Sequence, residues 1–191
     1  MISGSFIYIC IITTKTRITL NNYNPDIHHR HSFRLQGYDY SQEGLYFVTI
    51  CVQNMKCIFG NIINGEIILN ENGKIIISCC KQIEQQNPHI LFHIYCIMPN
   101  HFHAIIEITN PRRGGSRTAL PTINKPLGRI IGAFKTISTK QININNNTIG
   151  NQIWQRNYYE HIIRNEMSYN NIYWYIMNNP QKWEYDKFWK G

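Results

Sequence analysis

Two histidines separated by one residue, His101-Phe102-His103, open the apolar run Ala104-Ile105-Ile106-Glu107-Ile108. In an extended segment side chains alternate faces, so both imidazoles project one way while Phe102 and Ala104 enter the opposite layer. Two imidazoles on one face can hold a metal ion. Far along the chain, Tyr175 and Asn179 stand four residues apart in a helix-like segment, a spacing that stacks a phenol and an amide oxygen on one helix face. Should that face meet the strand bearing the histidines, two nitrogen ligands, one oxygen ligand and a phenol would surround a divalent cation. Such a set suits phosphodiester cleavage: the ion polarises the phosphate and the phenol oxygen attacks phosphorus. Free tyrosine ionises only near pH ~10, so the phenol needs a neighbouring cation or base to act as phenolate at neutral pH. A covalent phosphotyrosine would conserve the energy of the broken bond and permit rejoining to another end without ATP.

Other residues compete for these roles. Tyr158, Tyr159, Tyr169 and Tyr173 are rival nucleophiles, but none is followed four to five residues later by the Asn-Pro pair that ends the helix. His161 is left outside the metal set, because a core or DNA-facing histidine accounts for it equally well. Glu107 shares strand parity with His101 and His103, with a solvated strand end as its simpler role. His28, His29 and His31 read as part of a solvated basic tail.

The elements that must position these residues follow from pattern. Gly44 to Val52 is rich in β-branched and aromatic residues and reads as a buried strand. Asn64-Gly65, between Ile62-Ile63 and Ile67-Ile68-Leu69, marks a hairpin. From Asn72, the apolar positions Ile75, Ile76, Cys79, Cys80 and Ile83 recur at helical spacing until Asn87-Pro88. Ile90 to Ile97 and His101 to Ile108 form an antiparallel pair about Pro99-Asn100. Leu127, Ile130, Ile131, Phe134 and Ile137 make a second helical stripe. An Asn-rich loop over 143–151 precedes a short strand at Ile153-Trp154-Gln155-Arg156, and a last helix runs from Glu166 to Asn178, ended by Asn179-Pro180. This order implies an α+β sandwich in which one face of an antiparallel sheet carries the helices.

At 191 residues the chain is long enough for one domain with appended segments. These are an irregular extension over 1–30, a main domain over 31–185 containing a flexible basic loop over 109–126, and a tail over 186–191. A net charge of +8 suits a polyanionic partner. Arg112, Arg113 and Arg117 in the loop, Arg129, Lys135 and Lys140 on the second helix, and Arg156 are the candidates to contact DNA phosphates. Trp154, Tyr158 and Tyr159 could stack on unpaired bases, with core packing the better role for Trp154. The six cysteines form no Cys-x-x-Cys pair and sit mostly in apolar runs, which suits reduced, structural thiols. Phe6 to Ile12 is too short to span a bilayer and lacks a preceding Lys or Arg, so the expected location is cytoplasmic, without a membrane.

Five motifs in order carry a family resemblance: Arg34-Leu35-Gln36-Gly37-Tyr38-Asp39-Tyr40, Tyr46-Phe47-Val48-Thr49-Ile50-Cys51, Met98-Pro99-Asn100-His101-Phe102-His103, Trp154-Gln155-Arg156-Asn157-Tyr158-Tyr159-Glu160-His161, and Tyr175-Ile176-Met177-Asn178-Asn179-Pro180. From about residue 24 to 185 the chain resembles the REP-associated tyrosine transposases, within the HUH single-strand DNA transposases. The resemblance implies a ferredoxin-like (RRM-like) fold, Mg²⁺ or Mn²⁺ as cofactor, and a hairpin-forming single-stranded DNA substrate cut through a 5′-phosphotyrosine. It also implies Tyr175 as nucleophile, His101 and His103 as metal ligands, and Asn179 as the third ligand. A homodimer is compatible with it, since a helix of one subunit could complete the site of another. The alternatives are a non-catalytic single-stranded nucleic-acid-binding module and a metallohydrolase using only the histidines with Glu107.

Overall fold

A computed structural model describes residues 42–109 and 126–189. Arg112, Arg113, Arg117, the early histidines and the 34–40 motif lie outside those residues. Strand β1 (Gly44–Cys51) is followed by a hairpin of β2 (Gly60–Ile63) and β3 (Glu66–Leu69), then helix α1 (Glu71–Gln86). Strands β4 (Ile90–Met98) and β5 (His101–Ile108) come next, then helix α2 (Leu127–Asn145), strand β6 (Tyr159–Ile163) and helix α3 (Glu166–Asn178). A 3₁₀ segment, Pro180–Tyr185, closes the series.

The main sheet has the order β4-β5-β1-β6, antiparallel throughout. Setting aside the β2–β3 hairpin, the chain order is strand, helix, strand, strand, helix, strand, which is the expected ferredoxin-like arrangement with α3 appended. Between β2 and β3, Asn64 (φ 52°) and Gly65 (φ 79°) both take left-handed backbone, the requirement of the tight hairpin turn that an Asn-Gly pair meets.

The sheet is covered on both faces, which is why β1 reads as an unbroken apolar run rather than an alternating one. On one face Tyr46, Val48, Ile50, Phe102, Ala104 and Ile106 pack with α1 and α2 into the larger core. On the other, Leu45, Phe47, Ile94, Cys96, Met98 and Ile105 meet Ile172 and Ile176 of α3. The helices therefore do not share one face, as the element order alone suggested: α1 and α2 occupy one side and α3 the other. Ile176 is the sole fully buried residue of α3, worth ~1.5–3 kcal/mol. The helix begins where the Asn165 side chain accepts from the Ser168 amide at 2.6 Å and ends at Pro180.

Two further boundaries differ from the sequence reading. The last strand lies at Tyr159–Ile163, whereas Ile153 and Trp154 are buried but join the sheet only through a Val52–Trp154 bridge. Trp154 belongs to the core, its indole N–H donating to Ser138 Oγ at 2.8 Å. Helix α2 continues to Asn145, into the Asn-rich stretch. The five described cysteines are free thiols. Among the described residues no helix is long and apolar enough to cross a membrane.

Candidate active site

Strand parity places His101 and His103 on the α3 face of the sheet, with Phe102 and Ala104 in the opposite core. The two imidazoles are buried, with ring centroids 4.4 Å apart. Each is held through Nδ1. Asn100 Oδ1 lies 2.8 Å from His101 Nδ1, and the Asn100 amide nitrogen donates to the carbonyls of Met55 (3.3 Å) and Phe188 (2.8 Å). Those two acceptors identify the Asn100 oxygen, so His101 Nδ1 must be the donor and Nε2 keeps its lone pair. The neighbouring strand does the same for His103: Thr49, directly paired with it in the β1–β5 ladder, brings its hydroxyl to 2.8 Å from Nδ1. Orienting an imidazole through its far nitrogen in this way is how metal-ligating histidines are set.

Helix α3 delivers the phenol. Tyr175 Oη lies 3.3 Å from His103 Nε2, and the ring meets Phe47 edge-on at 6.0 Å. Tyr175 is 41% exposed, since it sits beside the buried Ile176 stripe rather than within it. Of the rival tyrosines, Tyr159 on β6 lines the same cleft as Tyr175, whereas the other three are engaged elsewhere. Tyr169 bonds His93 Nδ1 at 3.2 Å, Tyr173 stacks on Tyr169, and Tyr158 lies under the Lys135 ammonium. Glu107 shares the histidine face as expected, but its carboxylate is 2.7 Å from His93 Nε2, away from the pair.

Asn179, one helical turn beyond Tyr175, is buried, and its amide nitrogen donates to Asp186 Oδ2 at 3.0 Å. A carboxylate only accepts, so Asp186 fixes the amide orientation and turns Asn179 Oδ1 away from itself. That oxygen and His101 Nε2 are both buried without a hydrogen-bond partner among the described residues. Asp186 itself belongs to the cluster: ligand atoms of His101, His103 and Asp186 all lie within 4.8 Å of one another. Sequence reasoning set Asp186 aside in the tail. The one local signal is Asp186-Lys187-Phe188, where the Asp186 carboxylate accepts from the Phe188 amide at 2.8 Å and pins the tail beneath the histidines. Phe188 then packs on His101 at 4.7 Å between ring centroids. Thr49 and Asn100 were also missed as site residues, although each is a short polar side chain beside an apolar run.

Electrostatics follow from this burial. Desolvation lowers His101 to a pKa of about 4, with Asp186 opposing and Lys187 adding to the shift. His103 is driven well below the ordinary value by burial, then by His101 and Lys187. Both imidazoles are neutral at pH 7, the form that ligates metals. Tyr175 is raised to about 12, first by burial and then by the Asp186 charge, with an Asn179 hydrogen bond pulling the other way. Beside these groups lies a cleft of about 420 Å³ whose lining includes Thr49, Tyr159, Tyr175, Asn179, Lys182 and Lys187.

The remaining basic candidates stand apart. Arg129 and Lys140 are exposed on α2, which packs on the sheet face opposite the histidines. Arg156 is exposed in the loop before β6. The Lys135 ammonium is spent on the carbonyls of Gln155 (2.9 Å), Arg156 (3.2 Å) and Asn157 (3.1 Å), which uses its three N–H groups and makes it a loop brace rather than a free phosphate contact. His161 is on β6, outside the imidazole cluster.

No protein-family model matches the chain. An uncharacterized protein of Haemophilus influenzae is 43% identical over 174 residues, covering 86% of this chain and 96% of that protein. Among solved structures, a REP-associated tyrosine transposase bound to a REP hairpin superposes with a TM-score of 0.56, covering 83% of this chain and 77% of the other at 16% identity. A likeness at that identity speaks to architecture, since one fold hosts many functions. The chain belongs to the same family as the Haemophilus influenzae protein, and its fold is that of the REP-associated tyrosine transposase.

Proposed function

We propose that this protein is a metal-dependent tyrosine transposase, an endonuclease and strand transferase that cuts single-stranded DNA beside a hairpin and keeps the 5′ end on Tyr175. The observation that carries this reading is the 3.3 Å approach of Tyr175 Oη to His103 Nε2 at the edge of the His101–His103–Asp186 cluster. The solved transposase of the same fold is bound to a REP hairpin, which favours hairpin DNA as the partner here.

The donor set fits a divalent cation. Among the described residues His101 Nε2 and Asn179 Oδ1 are buried and unpartnered, a costly arrangement of ~1–3 kcal/mol per atom that a ligated ion would relieve. His101, His103, Asn179 and Asp186 would hold it, and a mixed imidazole and oxygen set admits Mn²⁺ or Mg²⁺. When bound, the ion supplies Lewis-acid polarisation of the scissile phosphate and charge that favours phenolate. Tyr175 Oη attacks phosphorus, the bond from phosphorus to the 3′ oxygen breaks, and the phenol proton passes to solvent. The departing oxygen takes a proton from solvent and becomes a free 3′ hydroxyl. Attack by another 3′ hydroxyl on the phosphotyrosine reverses these steps and completes strand transfer. Lys182 and Lys187 line the cleft where the phosphate enters. Phe47 supports the Tyr175 ring, and Thr49 and Asn100 keep the imidazoles in register.

The test is a denaturing gel of the protein with Mn²⁺ and oligonucleotide hairpins copied from inverted repeats flanking its gene. A covalent protein–DNA band is expected, absent in Tyr175→Phe while DNA binding persists. A band that survives Tyr175→Phe, or no band from the wild type on any such hairpin, overturns the reading. A non-catalytic binding module would leave the two orphaned ligand atoms without a purpose.

A further inference from the structure

Strand β6 is the edge of the sheet, and α3 crosses the same face, leaving a groove between them. Its β6 wall carries Tyr159 and His161, and its helix wall carries Met167, Asn171 and Tyr175, which recur every fourth residue. Phe47 forms the floor, touching both Tyr159 (6.1 Å) and Tyr175 (6.0 Å) edge-on. The groove is about 490 Å³ and continues into the catalytic cleft, since Phe47, Tyr159 and Tyr175 line both. The two halves differ in charge. Lys182, Asp186 and Lys187 stand on the catalytic side, whereas neither Lys, Arg, Asp nor Glu lines the β6–α3 side. His161 adds no charge at neutral pH, because burial and then Arg164 lower its pKa. The second half is thus unsuited to a phosphate. It offers Met167, 75% exposed, and the Tyr159 ring, which has the Lys187 ammonium 5.9 Å from its centroid, as apolar surface. It also offers the Asn171 amide, which makes no hydrogen bond among the described residues, and the Asn165 amide nitrogen, whose companion oxygen is committed to capping α3.

We propose that the groove between β6 and α3 is a nucleobase subsite that holds the unpaired base adjoining the phosphate attacked by Tyr175, stacked against Tyr159 and Met167 and read at its edge by Asn171. This rests on the nuclease reading above and deepens it. A base in the neutral groove and its phosphate in the charged cleft are joined across the Phe47–Tyr159–Tyr175 floor, so binding the base would index the phosphate onto the phenol. Stacking on aromatic side chains tolerates any base, and a side-chain amide adds preference through its paired donor and acceptor.

The test is direct binding, separable from cleavage. Fluorescence anisotropy in Mg²⁺ compares hexamers of each of the four deoxynucleotides with an abasic hexamer that keeps every phosphate. The full-length wild type is expected to bind at least one base-bearing hexamer about tenfold tighter than the abasic chain. Ser168→Trp, which fills the groove, should erase most of that difference while Mn²⁺ binding at the histidines is unchanged. If Ser168→Trp does not fold, the exposed pair Met167→Ala and Asn171→Ala should cut the difference several-fold. No preference for bases in the wild type, or a preference that survives these variants, overturns the proposal even if the covalent adduct forms. Conversely, a protein that forms no adduct but loses base preference on filling the groove would retain the subsite and lose the nuclease reading.

Discussion

Replacing Asp186 by Asn tests the site where sequence reasoning was weakest. The carboxylate accepts from the Asn179 amide at 3.0 Å and from the Phe188 amide at 2.8 Å, and it lies within 4.8 Å of both imidazole ligand atoms. Asparagine preserves volume and the Phe188 contact, but it removes a charge next to the proposed dication and ends the acceptor-only constraint on Asn179. Partners that orient metal ligands are worth about 10–100-fold in affinity, or ~1.4–2.7 kcal/mol. Isothermal titration with Mn²⁺ should therefore show a dissociation constant weakened by that factor, with little change in melting of the metal-free protein. A second effect runs the other way. The Asp186 charge is the next largest cause, after burial, of the raised Tyr175 pKa of about 12, so the phenol of the metal-free variant should ionise at lower pH than that of the wild type. A double-mutant cycle with Asn179→Ala divides the roles: if Asp186 acts by orienting Asn179, its substitution costs little in the Asn179→Ala background, and if it ligates directly the losses add. An Mn²⁺ affinity within twofold of wild type in Asp186→Asn would refute the reasoning.

Three further outcomes follow from the same geometry. Saturating Mn²⁺ at ~100 times its dissociation constant should stabilise the fold by ~2.7 kcal/mol, a rise in melting temperature of roughly 5–10 °C, and His101→Ala should abolish the rise. In EDTA, stability should fall as pH drops from 6.5 toward about 4: the unfolded chain protonates His101 in that window and the folded chain resists, costing roughly 1.4 kcal/mol per pH unit for that residue, with His103 acting in the same direction. Urea denaturation at pH 7 and pH 5 measures this, and equal stability at the two values would contradict the assigned burial. Lys135→Met should destabilise the protein by about 1–3 kcal/mol in urea denaturation through loss of its three carbonyl contacts, while single-stranded DNA binding stays within about twofold.

Much of the fold was legible because local signals and tertiary needs agreed. Helix α3 runs from Glu166 to Asn178 as expected, since Asn165 supplies the cap and Pro180 the stop. The faces of His101 and His103 followed from strand parity alone. What parity and periodicity do not encode is which side of a sheet a helix will cover, so the separation of α3 from α1 and α2 emerged only in three dimensions. Ile153 and Trp154 misled for a related reason: apolar residues mark burial, and a loop segment tucked under a sheet is as apolar as a strand. Lys135 looked like any solvated cation on a helix, because the three carbonyls that bind it lie about twenty residues away. Asp186 carried no periodic signal, as it stands in an irregular tail whose placement depends on Asn100 and Asn179.

The two faces of the sheet divide stability from the proposed function. On the α1–α2 side, large side chains such as Tyr46, Phe102 and Phe134 are fully buried in a core that needs no ligand. On the other side, one helix with a single fully buried residue covers a layer holding His101, His103, Asn179 and Thr49, polar groups whose burial opposes folding. The layer of the candidate site can carry those groups only because the opposite core makes the sheet rigid without it. Rigidity also matters to the proposed chemistry, since the His103–Tyr175 approach depends on a strand and a helix that contact each other through few side chains. Phe47 joins them: it lies in the strand next to His103, stacks on that imidazole at 5.5 Å and meets the Tyr175 ring at 6.0 Å. The proposed nucleophile is thus registered to the proposed metal ligands by an apolar side chain of the central strand, while its hydroxyl remains open to the cleft.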